Sequence, residues 1–360
     1  MNILSIESSC DETAAAVVRD GCVRVADTVA SSKDLHEITG GVVPEVAARK
    51  QIESIAPIIE QTLEKYYGGS FPDKVRVGEG IDAVAVTVGP GLIGSLIVGI
   101  EAAKSLSMLW RKPLIPVNHL VGHIYANFIS RDPEEIKFPA VALLVSGGHT
   151  DLIYMKGHMD FQYLGGTLDD AAGEAFDKTA RLLGISKYLG GVLLSKKAAE
   201  CEKNIYQGVM PRPMINDDSF DFSFSGLKTA VKRFVEKEGS ALDVSSLACE
   251  FENAVVDVLL EKTVRAVKKY EAKSLLVGGG VSANKQLRSR LEIEAEKNNF
   301  KLFIPPIDLC TDNAVYIAGA AYFMTKVQKE NRPQKNYSIY SPEIWQNIKP
   351  NPSLGIMDNT

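Results

Sequence analysis

Cysteine is scarce in this chain of 360 residues, and the few cysteines are scattered. Their number is odd and no two have Cys-x-x-Cys spacing; the positions are Cys10, Cys22, Cys201, Cys249 and Cys310. Such a set favours neither a zinc knuckle nor a disulfide framework, so we expect a reducing, cytoplasmic environment. No apolar run reaches the roughly 18 residues of a membrane span. No basic leader precedes Glu7, so we expect neither a signal peptide nor a membrane partner.

A surplus of basic residues is also missing. Lysine and arginine total 40 against 45 aspartates and glutamates, which gives a net charge of −5. Proteins that hold RNA mainly through its phosphates are usually basic. The composition alone therefore favours an enzyme acting on small molecules. An RNA substrate would require a local basic face or a partner subunit.

The order of the predicted elements indicates an α/β protein built from two similar lobes. A buried strand at residues 3–6, a polar turn and a strand at 13–18 open the chain, and the same pattern returns at 140–155. Strands followed by crossover helices, twice over, predict two lobes with a cleft between them.

The length of the chain and its 45% of hydrophobic residues are sufficient for two domains. We predict a first lobe over residues 1–135 and a second lobe over residues 136–311. A last helix at about 312–327 is expected to pack back on the first lobe. The polar residues 328–360 are expected to form a loosely attached tail.

Two histidines, His119 and His123, are four residues apart in a predicted helix, with Asn118 as its N-cap. This spacing puts both imidazoles on one helix face, where they can bind one metal ion. Two ordinary histidines without a metal are the alternative. Asp312, at the start of the last predicted helix, offers a third ligand. Position 120 is leucine, so the His-Glu-x-x-His pattern of zinc proteases is absent.

A polar turn follows the strand that opens each predicted lobe. The first turn contains Ser9, Asp11 and Glu12. The hydroxyl of Ser9 and the backbone N–H groups of the turn can hold a phosphate. Asp11 or Glu12 can also orient a water or accept a proton. The second turn is Ser146-Gly147-Gly148, where the glycines let the backbone approach a ligand closely. Plain hairpin turns are the alternative at both places.

Three glycines, Gly278-Gly279-Gly280, stand between a predicted strand and a predicted helix. The helix N-terminus there favours negative charge, and Asn284 can form a hydrogen bond to a ribose or a base. The pattern matches neither the dinucleotide fingerprint nor a Walker loop. In another helix, at 171–183, Asp170 can serve as the cap, whereas Asp177 lies far enough inside to reach a polar ligand.

Taken in order along the chain, these motifs closely resemble the TsaD family, also called Gcp or YgjD. The resemblance runs from residue 2 to about residue 325, and its Asp-Phe-Ser-Phe-Ser-Gly-Leu-Lys segment resembles the bacterial members. The segments that carry it are residues 7–13, 40–45, 89–92, His119 with His123, 146–150, 170–178, 222–228, 279–284 and 311–314.

The resemblance implies a two-lobed fold similar to actin, Hsp70 and sugar kinases. It implies transfer of threonylcarbamoyl from threonylcarbamoyl-AMP to the N6 amine of the tRNA adenosine beside the anticodon, in tRNAs that read codons beginning with A. It implies one divalent metal ion, usually described as Fe²⁺ and sometimes as Zn²⁺, on His119, His123 and Asp312. The implied partners are tRNA and two proteins, TsaB and the small ATPase TsaE.

The predicted site residues follow from the motifs and the resemblance together. The catalytic candidates are Asp11 and Glu12. An adenine nucleotide or threonylcarbamoyl-AMP is expected to be bound by the following set: Ser9, Leu144, Val145, Ser146, Gly147, Gly148, Asp177, Gly190, Gly191, Gly279 and Asn284.

One loop departs from the family pattern. The family usually has Tyr-Pro-Gly-Gly-Pro, whereas residues 188–192 here are Tyr-Leu-Gly-Gly-Val. A position nearby that is usually acidic in the family is Ser195 here.

Two other functions also fit the predicted fold or an older name for the family. One is an actin-like ATP-binding regulator or kinase, which has no need of the histidine pair. The other is a metallo-endopeptidase, against which the missing His-Glu-x-x-His pattern argues.

Overall fold

Each of two units of the chain is organised around a five-stranded mixed sheet. The computed structural model describes residues 1–33, 41–69, 78–187, 189–331 and 347–358. The first unit comprises Met1–Ile136 and Pro305–Thr360, and the second comprises Lys137–Ile304.

The ten strands are divided equally between the two sheets. The first sheet contains β1 (Asn2–Glu7), β2 (Glu12–Arg19), β3 (Val23–Ser31), β4 (Ala83–Gly89) and β5 (Leu114–Asn118), in the order β3-β2-β1-β4-β5. The second contains β6 (Ala140–Val145), β7 (Thr150–Gly157), β8 (Asp160–Gly166), β9 (Ser274–Gly278) and β10 (Lys301–Phe303), in the order β10-β9-β6-β7-β8.

Both sheets have the same topology. β1 pairs antiparallel with β2 and parallel with β4, and β6 pairs antiparallel with β7 and parallel with β9. β1 and β6 are central strands buried on both faces, which explains their almost continuous apolar sequences. The strand–turn–strand pattern that the sequence shows twice is therefore the central hairpin of each sheet.

Nine α-helices connect the strands within the described residues. They are α1 (Pro44–Tyr66), α2 (Ile93–Trp110), α3 (His119–Tyr125), α4 (Ala172–Leu182), α5 (Gly191–Ala199), α6 (Ser225–Glu238), α7 (Val244–Lys269), α8 (Lys285–Asn298) and α9 (Val315–Asn331). In the first unit α1 and α2 pack against the sheet and each other, and α9 packs on β1, β2 and α3. β8 has no counterpart among the predicted elements.

The chain returns to the first unit earlier than the predicted boundary at residue 312. It does so at Pro305, where Asp308 pairs with Arg24 of β3 at 2.5 Å. The expected loose tail is also corrected for its described part, residues 347–358. Asn351 donates a backbone hydrogen bond to Val88 of β4 at 2.7 Å, and Leu354 is only 4% exposed. Residues 332–346 of the predicted tail lie outside the described residues.

One described helix qualifies, by length and composition only, as a candidate membrane span. This is α2, Ile93–Trp110, although the sequence had suggested no run of that length. It carries Glu101 and Lys104, which form an ion pair at 2.8 Å, and Leu96, Ile100 and Ala103 are fully buried in the first unit. A helix packed in this way is typical of the core of a globular domain.

Candidate functional site

Three side chains of the first unit converge where α3 begins and where the chain enters α9. α3 starts directly after β5, and Asn118 caps it by accepting a hydrogen bond from the Leu120 N–H at 2.8 Å. His119 and His123 then lie one turn apart on the same helix face. Their Nε2 atoms are 3.6 and 3.3 Å from Oδ1 of Asp312. The structure thus brings together the three residues that the sequence suggests as metal ligands.

The three side chains fit a divalent metal ion. One possible ligand atom from each of His119, His123 and Asp312 lies within 4.8 Å of the others. Two imidazole nitrogens and one carboxylate oxygen form a donor set that suits Zn²⁺ or Fe²⁺. The convergence of these donors at a largely buried place is the observation that supports a metal site.

The two histidines have opposite pKa shifts. Burial would lower the pKa of His119, but the charges of Glu7 and Asp312 and a hydrogen bond to Glu7 outweigh it and raise that pKa to about 9. Burial and the nearby charge of His119 lower the pKa of His123. Burial would raise the pKa of Asp312, but the two histidines keep it below its usual value. Asp312 is therefore a carboxylate and His123 a neutral imidazole near pH 7, whereas His119 must release a proton when a metal ion binds.

Gly122 has a packing role between two helices. A Cβ at this position would lie 2.6 Å from the ring of Tyr316 and 2.8 Å from the side chain of Ile317, both on α9. The glycine therefore lets α3 approach α9 closely. Tyr316 also packs its ring 4.7 Å from that of His123, centroid to centroid. The close packing of these two helices holds Asp312 beside the histidines.

The turn between β1 and β2 lies beside this triad. Ser9 Oγ is 3.3 Å from His119 Nδ1, and one carboxylate oxygen of Asp11 is buried without a hydrogen-bond partner among the described residues. Glu12 is nearly buried and pairs with Lys33 at 2.5 Å. Burial and the charge of Asp312 raise the pKa of Glu12 to about 9. The structure thus brings Ser9, Asp11 and Glu12 to the metal candidates.

A buried amide holds this turn in shape. The Nε2 of Gln51, on α1, donates to the carbonyl oxygens of Cys10 and Glu12 at 2.7 and 3.2 Å. Gln51 is 1% exposed. Sequence reasoning missed it because a glutamine in an amphipathic helix gives no local sign of a tertiary partner.

In the second unit, the turn Ser146-Gly147-Gly148 lies next to Gly279. A Cβ at Gly279 would lie 2.4 Å from the Val145 carbonyl oxygen, and its φ of +91° also favours glycine. The turn itself is exposed at Gly147 and Gly148. The two predicted glycine turns are therefore neighbours at the ends of β6 and β9. Leu144 and Val145 are fully buried in β6, so only their backbones could contact a ligand.

Asp177 on α4 holds the glycines at the start of α5. Its Oδ1 accepts a hydrogen bond from the Gly191 N–H at 2.8 Å, and Gly190 donates as well. Burial raises the pKa of Asp177. Tyr188 of this loop lies outside the described residues.

The sequence suggests Asp170 as the cap of α4, but this prediction is wrong. The side chain of Asp170 instead forms an ion pair with Lys178 at 2.6 Å.

Asn284 has internal partners at both ends of its amide. Its Oδ1 caps α8 by accepting from the Leu287 N–H at 2.8 Å. Its Nδ2 donates to Glu252 at 2.6 Å and to Ser195 at 3.1 Å. Glu252 is 7% exposed, and burial raises its pKa. No sequence motif singles out Glu252, which lies in the first half of the long helix α7.

Comparison with known proteins identifies the family. A family model described as TsaD, tRNA N6-adenosine threonylcarbamoyltransferase, matches residues 24–319. The chain belongs to the TsaD family. A relative from Thermomicrobium roseum is 47% identical over 352 residues, covering 91% of this chain and 92% of its own. A relative from Bacillus subtilis is 48% identical over 324 residues, covering 89% of each chain. Both carry the name tRNA N6-adenosine threonylcarbamoyltransferase.

Solved structures of low sequence identity confirm the predicted fold class. Component A of the (R)-2-hydroxyglutaryl-CoA dehydratase of Acidaminococcus fermentans matches with a TM-score of 0.52 and 15% identity, over 91% of this chain and 99% of that one. HypF of T. kodakarensis matches with a TM-score of 0.58 and 13% identity, over 92% of this chain and 48% of that one. This TsaD chain therefore has the α/β fold of the actin-like ATPases.

Proposed function

We propose that this chain transfers the threonylcarbamoyl group of threonylcarbamoyl-AMP to the N6 amine of the adenosine beside the anticodon, in tRNAs that read codons beginning with A. Membership of the TsaD family across residues 24–319 supports the activity. The observation that carries the proposal is the convergence of His119, His123 and Asp312 beside the turn that holds Asp11. A simple actin-like ATPase or kinase has no need of such a donor set.

In this reaction the amine nitrogen attacks the carbamoyl carbon, a C–N bond forms, and the anhydride C–O bond to AMP breaks. The amine is conjugated into the adenine ring and is weakly nucleophilic, so orientation and charge stabilisation must supply most of the rate enhancement. Asp11, with a buried oxygen that has no hydrogen-bond partner among the described residues, is our candidate to accept the amine proton. Glu12, which is nearly buried and pairs with Lys33, is the second candidate to accept this proton.

We propose that His119, His123 and Asp312 hold one divalent ion, Fe²⁺ in the first place and Zn²⁺ as the alternative. When bound there, such an ion supplies Lewis acidity to an oxygen of the donor. We propose that Ser9 contacts the same donor, and the position of its hydroxyl beside His119 supports this.

The AMP portion of the donor is assigned to the second unit. The exposed backbone of Ser146-Gly147-Gly148, next to Gly279, offers N–H groups for a phosphate. Asp177 with Gly190 and Gly191, and Asn284 with Ser195, form the nucleoside side of the proposed site. Since Asn284 and Asp177 already have internal partners, we expect them to shape this side as well as to contact the ligand.

The chain is proposed to work in the cytoplasm on tRNA together with TsaB and TsaE. Its charge of −5 supplies no overall attraction to a polyanion. A protein surface is available on α1 and α2, which contact each other where Gly94 meets Ala48. Most of the apolar stripe of α1 faces its own sheet, but Ile52 is 63% exposed, and on α2 Ile93 is 57% and Ile97 44% exposed. We assign this surface to TsaB.

The decisive assay supplies tRNA and synthetic threonylcarbamoyl-AMP and measures the modified nucleoside by mass spectrometry after digestion. The chain alone should give slow modification, and the addition of TsaB and TsaE should give rapid turnover. Asp11→Asn should lower kcat at least 100-fold with the metal content unchanged, because proton acceptance contributes roughly 10²–10⁴-fold. No modified adenosine with all components present would refute the activity. Rapid turnover by the isolated chain would refute only the need for partners.

A further inference from the structure

Glu7, the last residue of β1, is a fully buried carboxylate beside the metal candidates. Its Oε1 accepts a hydrogen bond from the Ser9 N–H at 2.6 Å, and its Oε2 accepts one from the Thr87 hydroxyl at 2.6 Å. The same Oε2 lies 3.0 Å from Nδ1 of His119. A buried carboxylate is tolerated only where donors surround it in this way.

The contact between Glu7 and His119 determines which nitrogen of the imidazole carries a proton. Both oxygens of Glu7 already accept hydrogen bonds from Ser9 and Thr87, so Nδ1 of His119 is the donor in this contact. The other nitrogen, Nε2, is the one that faces Asp312, at 3.6 Å. A ring that keeps its proton on Nδ1 leaves the lone pair of Nε2 available to a metal ion.

His123 lacks such an arrangement. Its Nδ1 is buried and has no hydrogen-bond partner among the described residues, while its Nε2 also faces Asp312. The orientation of His123 depends on packing against Tyr316 instead. Of the two imidazoles, His119 is therefore the one whose tautomer is held by a carboxylate.

We propose that Glu7 is a positioning residue of the metal centre, which fixes the proton of His119 on Nδ1 and presents Nε2 as the ligand. Carboxylates that accept a hydrogen bond from a metal-binding histidine commonly orient the ring and raise its basicity. The charge of Glu7 also partly balances that of a divalent cation. This inference rests on the metal site proposed above, but not on the transferase reaction.

The substitution Glu7→Gln is a sharp test because it keeps the shape of the side chain. If the new NH₂ group replaces Oε2, it faces the Nδ1–H of His119, and two donors meet. The ring is then more stable with its proton on Nε2, where the proton blocks the atom that would bind the metal ion. If the NH₂ group replaces Oε1, it faces the Ser9 N–H, and two donors meet there instead. Thr87→Val is the matched control, since it removes one hydrogen bond to the same carboxylate and leaves the acceptor for His119.

The readout is the affinity for Zn²⁺, measured on purified apo chains by competition with a chromophoric chelator. Glu7→Gln should bind Zn²⁺ 10- to 100-fold more weakly than the wild type, which is the range seen when such partners are removed. Thr87→Val should lower the Tm but change the affinity by less than about threefold, as expected for a change outside the ligand shell. Equal affinities for Glu7→Gln and wild type would overturn the proposal, as would equal losses in the two variants.

A measurement on the wild type keeps the inference testable if Glu7→Gln does not fold. Long-range ¹H–¹⁵N correlation spectra of the Zn²⁺-loaded chain distinguish a protonated from a metal-bound imidazole nitrogen. We expect His119 to show a protonated Nδ1 and a metal-bound Nε2. Zinc on Nδ1 of His119 would overturn the role of Glu7. A wild-type chain that binds no Zn²⁺ would instead overturn the metal site itself.

Discussion

The Nε2 atom of His123 lies 3.3 Å from Oδ1 of Asp312, although one residue belongs to a short helix early in the chain and the other precedes the last helix. The packing of α3 on α9 at Gly122 produces this approach. The metal candidates therefore depend on a helix pair that both packs the first unit and assembles the site.

Removal of both imidazoles should empty the metal site. The double variant His119→Ala/His123→Ala leaves Asp312 as the single member of the donor set, which is too few ligands for a stable site. Metal content by mass spectrometry should fall from about one ion per chain to nearly none. His158→Ala, in the second unit and packed against Phe138, is the control and should keep its metal. Full occupancy in the double variant would rule out this site.

A charge on the exposed surface of α1 and α2 should disrupt the proposed contact with TsaB. Ile52→Glu places a carboxylate where an apolar side chain is 63% exposed, so the fold should tolerate it. If Ile52 is buried in the complex, the affinity for TsaB should fall tenfold or more. Substitution of a buried interface residue typically costs about 1–2 kcal/mol or more of binding free energy. Isothermal titration calorimetry measures this directly. Ile293→Glu, at a 59% exposed position of α8, should bind TsaB like the wild type, and equal binding by both variants would place the interface elsewhere.

The altered loop of this chain can be examined through Ser195 and Glu252. Ser195 and Asn284 both form hydrogen bonds to the buried Glu252, so Ser195→Asp would place a second carboxylate there. We expect Ser195→Asp to lower the stability clearly. Glu252→Gln should lower it only slightly, because the remaining amide oxygen can still accept a hydrogen bond from Asn284. The double variant should recover most of the stability lost in Ser195→Asp.

Urea unfolding of the four proteins gives the coupling between the two positions, which we expect to be about 1–2 kcal/mol. Additive effects would show that the two side chains do not interact. Nucleotide affinity measured on the same proteins would indicate whether this cluster also shapes the proposed nucleoside site.

Asp169 should make the second unit sensitive to acid. Burial would raise its pKa, but hydrogen bonds from the hydroxyls of Ser223 and Ser225 and from the backbone of Phe224 and Ser225 lower it to about 2. Because the folded pKa lies below the ordinary value of 3.8, the stabilisation is complete above about pH 4 and is lost as the pH falls towards 2.

Asp169→Asn should therefore lower the free energy of unfolding at pH 7 by no more than about 1 kcal/mol, after allowance for solvent screening of an exposed carboxylate. The difference from wild type should shrink between pH 4 and 2. Urea unfolding across this range measures it, with Asp160→Asn, an exposed carboxylate of β8, as the control. A difference that is constant with pH would mean that the charge of Asp169 contributes nothing.

The sequence by itself determined the fold class, the duplicated strand–turn–strand pattern and the histidine pair. These are local properties: a buried central strand reads as an apolar run, and residues four apart must share a helix face. The motifs around Asp11, Gly147 and Gly279 were visible for the same reason, since each turn is contiguous in the chain.

Tertiary structure alone decided which side chains support those motifs. Glu7 meets His119, Gln51 holds the turn at Cys10, and Glu252 meets Asn284 across separations that carry no periodic signal. It also decided that Gly122 serves helix packing and that the tail at Leu354 is buried. Hydrogen bonds to buried carboxylates and close helix contacts depend on distances in space, and no spacing along the chain encodes them.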